Sequence, residues 1–139
     1  MRAALEAARE PDPKIKVIAV TVLPSLADAA LAGVGLQPPV GDLVLRLATL
    51  ARGCGLDGVV CSAQEAARLR TVLGPDFLLV VPGIRPRGAG LDDQARVMGP
   101  AEAVRAGADI LVIGRPITSA PDPVRAARDI ALSLDGSKA

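Results

Sequence analysis

The chain has 139 residues, half of them hydrophobic, and its 16 Lys and Arg nearly balance 15 Asp and Glu for a net charge of +1. That length suits one domain able to bury roughly 68 % of its extended-chain surface, and the even charge excludes the concentrated basic face that a nucleic-acid partner needs. With no histidine at all, the commonest general base and the commonest metal ligand are missing.

Residues 1–10 predict a helix with Leu5 as its one large apolar residue, ended by Pro11 and Pro13. The run from Lys14 to Leu23, KIKVIAVTVL, is rich in β-branched residues and long enough for a strand buried on both faces. Ser25 is placed to cap a short helical turn that Gly33 and Gly35 stop. A longer helix is expected from Asp42, DLVLRLATLARGCG, with Leu43, Leu47, Leu50 and Cys54 along one face and Gly55 as its stop.

DGVVC, from Asp57 to Cys61, reads as a second strand, after which Ser62 and Glu65 have capping-box spacing for a helix closing at Gly74. Phe77 to Val81, FLLVV, is a third strand, followed by a long polar connection from Pro82 to Met98. Pro100 suits the first turn of a helix over PAEAVRAGA. Asp109 to Ile113 is a fourth strand, apolar enough to read as fully buried, and Asp122 with Pro123 opens a last helix. Residues 1–134 form one unit and 135–139 a frayed tail.

Strand and helix alternate throughout, which implies right-handed βαβ units and a parallel α/β sheet. Four strands leave two architectures: a small open sheet, or half of a (β/α)8 barrel, whose complete form takes ~250 residues. Cys54 and Cys61 are too few for a disulfide scaffold, lack metal-type spacing and read as reduced apolar groups. No apolar run approaches the ~20 residues of a membrane helix and no signal-peptide core opens the chain, so a cytoplasmic protein without a membrane partner is expected.

Parallel sheets place ligands beyond the C-terminal ends of their strands. Here those ends read TVLPS, VVCSAQE, VVPGIRPRG and VIGRP, and two of the four carry glycine, arginine and proline together. Glycine lets a backbone N–H approach an anion, and arginine offers a planar charged fork matched to phosphate. A surface arginine in a turn is the plain alternative for either one alone; two on consecutive strand ends favour a phosphate site. Gln94, on the long connection, is placed to close over it, since connections above ~12–15 residues are often lids. Ser62 reads as a helix cap, because no base accompanies it, and Asp57 and Asp109 precede strands at the far end of the sheet, where a structural role is expected.

VIAVTVL, GLDGVVCSAQEAARLR, PGIRP, DDQARVM, PAEAVRAGAD and LVIGRPIT together resemble the C-terminal half of bacterial orotidine 5′-phosphate decarboxylase, from about Met1 to Ile130. The resemblance implies the last four strands of a (β/α)8 barrel, usually homodimeric, converting orotidine 5′-monophosphate to uridine 5′-monophosphate and CO2 without metal or organic cofactor. It puts Arg85 of PGIRP, Gln94 of DDQ, and Gly114 and Arg115 of IGRP on substrate-binding positions, the last three gripping the phosphate. Three positions depart from the family pattern: Pro24 stands where a substrate-contacting threonine is usual, Val81 replaces the threonine before PGIR, and Gly99 replaces a threonine helix cap.

The resemblance also implies a charged D-x-K-x-x-D catalytic motif in the N-terminal half of the barrel, and these 139 residues contain no such pattern. The expectation is therefore a substrate-binding half-barrel without catalytic residues of its own, inactive alone, that forms a homo-oligomer or pairs with a missing N-terminal half. A non-catalytic phosphate-binding or self-assembling module is the alternative. A different phosphate-barrel reaction, of aldolase or synthase type, meets the same lack of acid–base residues.

Overall fold

The computed structural model describes residues 1–23, 26, 28–33, 35–36, 39–86 and 98–135. In chain order the elements are α1 (Arg2–Arg9), β1 (Ile18–Val20), α2 (Asp28–Gly33), α3 (Val40–Gly53), β2 (Gly58–Val60), α4 (Ala63–Leu73), β3 (Leu78–Val81), α5 (Pro100–Arg105), β4 (Ile110–Leu111), α6 (Arg115–Thr118) and α7 (Pro123–Asp135). The strands form one sheet in the order β1-β2-β3-β4, each neighbouring pair parallel. Every strand lies beside its predecessor in the chain, which is the order found along part of a (β/α)8 barrel.

Local signals account for most boundaries. Ser62 Oγ accepts from the Gln64 N–H at 3.4 Å while Glu65 Oε2 accepts from the Ser62 N–H at 3.0 Å, so the expected capping box opens α4. Gly74, at φ 77°, closes it, and Gly55, at φ 85°, turns the chain after α3. Asp122 Oδ1 accepts from the Arg125 N–H at 2.9 Å, with Pro123 as the first residue of α7. At α5 the glycine in place of a cap leaves half a box: Glu102 Oε2 accepts from the Gly99 N–H at 3.2 Å.

Side chains alternate across a strand. Val59, Leu79 and Val81 join Val44, Ala48, Ala66 and Leu69 in the core between the sheet and helices α3 and α4. Cys61 is fully buried there, and neither cysteine is in a disulfide. With Phe77 the only aromatic ring, this core is filled by branched aliphatic side chains and alanine.

Three expectations are corrected. The first strand is Ile18–Val20 rather than residues 14–23, and neither it nor the fourth strand is fully buried: Ile18, Val20, Ile110 and Val112 are 37, 58, 48 and 49 % exposed. An apolar strand pattern specifies what a strand can bury, and these two lie at the sheet edges, with a neighbour on one side only. Second, α3 starts at Val40 and buries Val40, Val44, Ala48 and Ala51, while Leu50 is exposed. The valines and alanines let the helix approach the sheet closely, and the larger Leu43 and Leu47 flank that stripe half-buried. Third, Arg115 does not lie in a plain turn but opens the short helix α6. Ser25 and residues 136–139 lie outside the described residues, and Asp135 ends α7 rather than starting a frayed tail.

At the N-terminal end of the sheet, two aspartates make the same clasp twice. The Asp57 N–H donates to Val17 O at 2.9 Å, and the Val17 N–H donates back to Asp57 Oδ2 at 2.8 Å. The Asp109 N–H donates to Leu79 O at 3.0 Å, and the Leu79 N–H donates back to Asp109 Oδ2 at 2.7 Å. Each carboxylate also holds an arginine from the helix preceding the partner strand, Arg9 of α1 on Asp57 and Arg70 of α4 on Asp109. Both aspartates thus have the structural role expected of them.

Candidate functional site

The opposite end of the sheet carries the glycine–arginine turns. After β3 the chain passes through Pro82 and Gly83, whose φ of 76° is left-handed and suits glycine. It then forms a parallel bridge between Ile84 and Met98, with the Arg85 N–H donating to Met98 O at 3.1 Å. That bridge ties both ends of the long connection and buries Ile84 completely and Arg85 to 8 % exposure. The Arg85 guanidinium donates from Nη1 to Ile84 O at 3.2 Å.

After β4 the Val112 N–H donates to Val81 O at 2.9 Å, which continues the sheet by one residue. Gly114 follows, exposed, and its carbonyl accepts from the Ile117 and Thr118 N–H groups at 2.8 and 3.1 Å, so α6 starts at once. A Cβ built on Gly114 would meet nothing within 4 Å among the described residues, so none of their atoms explains the glycine sterically. Arg115, the first residue of α6, is exposed.

The register relates the two arginines. Val81 pairs with Leu111, and Arg85 and Arg115 each follow four residues later. Adjacent parallel strands therefore deliver both cations to the same end of the sheet, one buried and one exposed. Gln94 lies outside the described residues, as do Arg87, Asp92, Asp93 and Arg96. A cavity of about 310 Å³ beside Pro86, lined by Gly99, Glu102, Arg105 and Ser133 among others, is not lined by Gly114 or Arg115. Among the described residues no group of three His, Cys, Asp or Glu is placed to hold a metal ion, and no helix is long and apolar enough to cross a membrane.

Sequence reasoning missed the clasp residues Arg9 and Arg70. For Arg70 a signal existed, a basic residue in the last turn of a helix ending on Gly74. Its reach was not legible, because Asp109 is 39 residues away in the chain.

Parallel strands in chain order, alternating with helices, define a protein of the β/α barrel class, a fold whose ligand sites lie at the carboxyl ends of the strands. The chain belongs to the orotidine 5′-phosphate decarboxylase / HUMPS family, whose model matches residues 1–130. It is 58 % identical over 128 residues to an orotidine 5′-phosphate decarboxylase of Anaeromyxobacter sp. (strain K), an overlap of 92 % of this chain and 56 % of that protein. With the Rhodospirillum rubrum protein of the same name the identity is 59 % over 121 residues, 87 % of this chain and 49 % of that one. The chain thus spans about half the length of these curated relatives. Its fold superimposes on the crystal structure of orotidine 5′-phosphate decarboxylase from Lactobacillus acidophilus with a TM-score of 0.72 and 38 % identity, covering 86 % of this chain and 49 % of that one. The four strands and their helices are about half of a (β/α)8 barrel.

Proposed function

We propose that this chain is the phosphate- and substrate-binding half of an orotidine 5′-phosphate decarboxylase, a cytoplasmic enzyme of pyrimidine nucleotide synthesis. Gly114 and Arg115 grip the 5′-phosphate, Gln94 closes over it, and Arg85 supports the substrate from the neighbouring strand end. The observation that carries this reading is the shared offset of Arg85 and Arg115 beyond a register-paired residue, beside a glycine whose missing Cβ no atom of the described residues requires. Guanidinium and backbone N–H together suit a phosphate dianion, which accepts both bidentate and short charge-assisted hydrogen bonds.

Decarboxylation needs a proton donor at the carbon that loses CO2. The 139 residues hold neither histidine nor the D-x-K-x-x-D pattern that would supply it. The chain alone is accordingly a binding module, and the chemistry requires a complementary half that carries the charged motif.

Calorimetric titration of the 139-residue chain tests this. Uridine 5′-monophosphate is expected to bind, uridine to bind at least tenfold more weakly, and orotidine 5′-monophosphate to be held without release of CO2. Gly114→Ala is expected to leave the melting temperature unchanged, because its methyl enters open space, while weakening nucleotide binding at least tenfold, about 1.4 kcal/mol. Equal affinity for nucleoside and nucleotide, or turnover by the chain that Arg115→Ala abolishes, would refute the assignment.

A further inference from the structure

Among the described residues the buried polar or charged side chains are Ser62, Glu65 and Arg85, and all three follow the carboxyl ends of β2 and β3. Ser62 and Glu65 form the capping box of α4, but a cap works as well in water, as the exposed Asp122 shows at α7. Capping alone therefore gives no reason to bury a carboxylate to 7 % exposure. We propose that Glu65 is the counter-charge of Arg85 and a positioning residue of the ligand site, its carboxylate holding the buried guanidinium in place for the phosphate.

The two inner strands bring these residues to one place. Val60 pairs with Val80, and Glu65 and Arg85 each follow five residues later on adjacent strand ends. The Cys61 N–H donates to Val80 O at 3.1 Å, which carries the pairing one residue past β2. The next N–H, that of Ser62, donates to Glu65 Oε2 at 3.0 Å. That bond draws the carboxylate back from α4 to the end of β2, where the register sets Ser62 level with Pro82, the start of the turn that leads to Arg85. The guanidinium in turn folds inward, its Nη1 donating to Ile84 O at 3.2 Å.

Burial makes the pairing useful to both groups. Val81 and Ile84 beside Arg85 in the chain, and Ala66 and Leu69 beside Glu65 on α4, are completely or almost completely buried. A cation and an anion withdrawn from water into such surroundings are tolerated when each has opposite charge at hand. The first turn of α4, an 11-residue helix, adds its own preference for negative charge at Glu65.

For the ligand site the consequence is preorganisation. A guanidinium already held in one orientation loses less freedom on meeting a phosphate than one that must first be ordered. The rim then offers one cation fixed in advance, Arg85, and one that is exposed, Arg115. This consequence rests on the assignment of Arg85 to the substrate site, whereas the charge pairing itself does not.

A double-mutant cycle tests both parts. Glu65→Gln keeps the cap, because glutamine accepts at the same position of a capping box, and removes only the charge. Glu65→Gln and Arg85→Met are each expected to lower the melting temperature by roughly 5 °C or more, and the double variant to lose less than the sum, a coupling of about tenfold in the folding equilibrium. Ser62→Ala, which weakens the cap and leaves both charges, is expected to be additive with Arg85→Met. In calorimetric titration with uridine 5′-monophosphate, Glu65→Gln is expected to weaken binding about fivefold or more, and to add nothing once Arg85 is methionine. If Glu65→Gln alone does not fold, the double variant, which removes both charges, is still expected to fold. Additive losses in the cycle, wild-type stability of Glu65→Gln, or a double variant that fails to fold where Arg85→Met folds would overturn the pairing. Unchanged affinity in folded Glu65→Gln would overturn the positioning role. A wild-type chain that does not bind the nucleotide would refute the binding assignment instead, and the stability cycle would still decide the pairing.

Discussion

Arg70 offers a direct test of how the sheet is held at its N-terminal end. Its Nη1 donates to the carbonyls of Gly74, Pro75 and Phe77 at 2.8, 3.0 and 2.9 Å, and its Nη2 to Gly107 O at 2.8 Å and to Asp109. One guanidinium thus joins the end of α4, the turn into β3 and the turn into β4. Arg70→Met keeps most of the aliphatic stem and removes every donor. The Pro75 bond is exposed and contributes little, since water replaces it. The three part-buried carbonyls cost about 1 kcal/mol each when left without a donor. Asp109 keeps the Leu79 N–H, and its side chain is 35 % exposed, so loss of its cation adds less than about 1 kcal/mol.

The expected loss is about 3–4 kcal/mol, a large fraction of the stability of a small domain, and roughly 10–15 °C in melting temperature. Urea unfolding followed by far-ultraviolet circular dichroism should show a lower midpoint with an unchanged slope. Arg125→Met, which removes an exposed pair with Asp129 at 3.8 Å, is the control and should cost under about 0.5 kcal/mol. A loss at Arg70 no larger than at Arg125 would refute the reasoning, because it would mean that water satisfies those carbonyls as well as the guanidinium does.

Two further outcomes follow from the same strands. A Cβ at Gly58 would collide with the Leu78 carbonyl and Cβ across the β2–β3 pair, so Gly58→Ala is expected to cost about 3 kcal/mol or more, or to abolish soluble expression; a melting temperature within a few degrees of wild type would contradict this. Burial works to raise the Asp57 carboxyl, but the Val17 N–H, Lys16 and Arg9 outweigh it and hold the group below the ordinary 3.8. A depressed folded value gives stability that is complete above the unfolded value and is lost as pH falls through the folded one, so wild type should weaken steadily below about pH 4 and Asp57→Asn should weaken less steeply there. Parallel acid-unfolding slopes for the two proteins would exclude Asp57 as the source.

Much of the fold was legible because its signals are local. The Ser62–Glu65 box, the Asp122–Pro123 start and the stops at Gly55 and Gly74 are each decided within one helical turn, and the structure places each as expected. Alternation gave a parallel α/β sheet but left an open sheet and half a barrel both standing, and the order β1-β2-β3-β4 is decided by the pairing seen in the structure. What was not legible depends on neighbours distant in the chain. KIKVIAVTVL and ILVIG have the composition of covered strands, yet whether anything lies beyond β1 and β4 is not written in their own residues. The stripe of α3 was misjudged for a related reason, since leucine is the larger apolar residue but valine and alanine permit the closer approach to the sheet. At the site, glycine, arginine and their spacing were visible, whereas the helical start at Arg115 and the burial of Arg85 by the Ile84–Met98 bridge depend on how the chain closes on itself.

The repeated aspartate clasp has a consequence for how this chain tolerates change. At one end of the sheet Asp57 and Asp109 each tie two strands and a helix, and the glycine–arginine turns occupy the other end. A substitution at the exposed Gly114 therefore costs the fold little, whereas one at the buried Ile84 or Arg85 does not. The clasped rim must stay fixed for the chain to remain folded, while the opposite rim combines a buried turn at Ile84 and Arg85 with an exposed one at Gly114 and Arg115 that is freer to change.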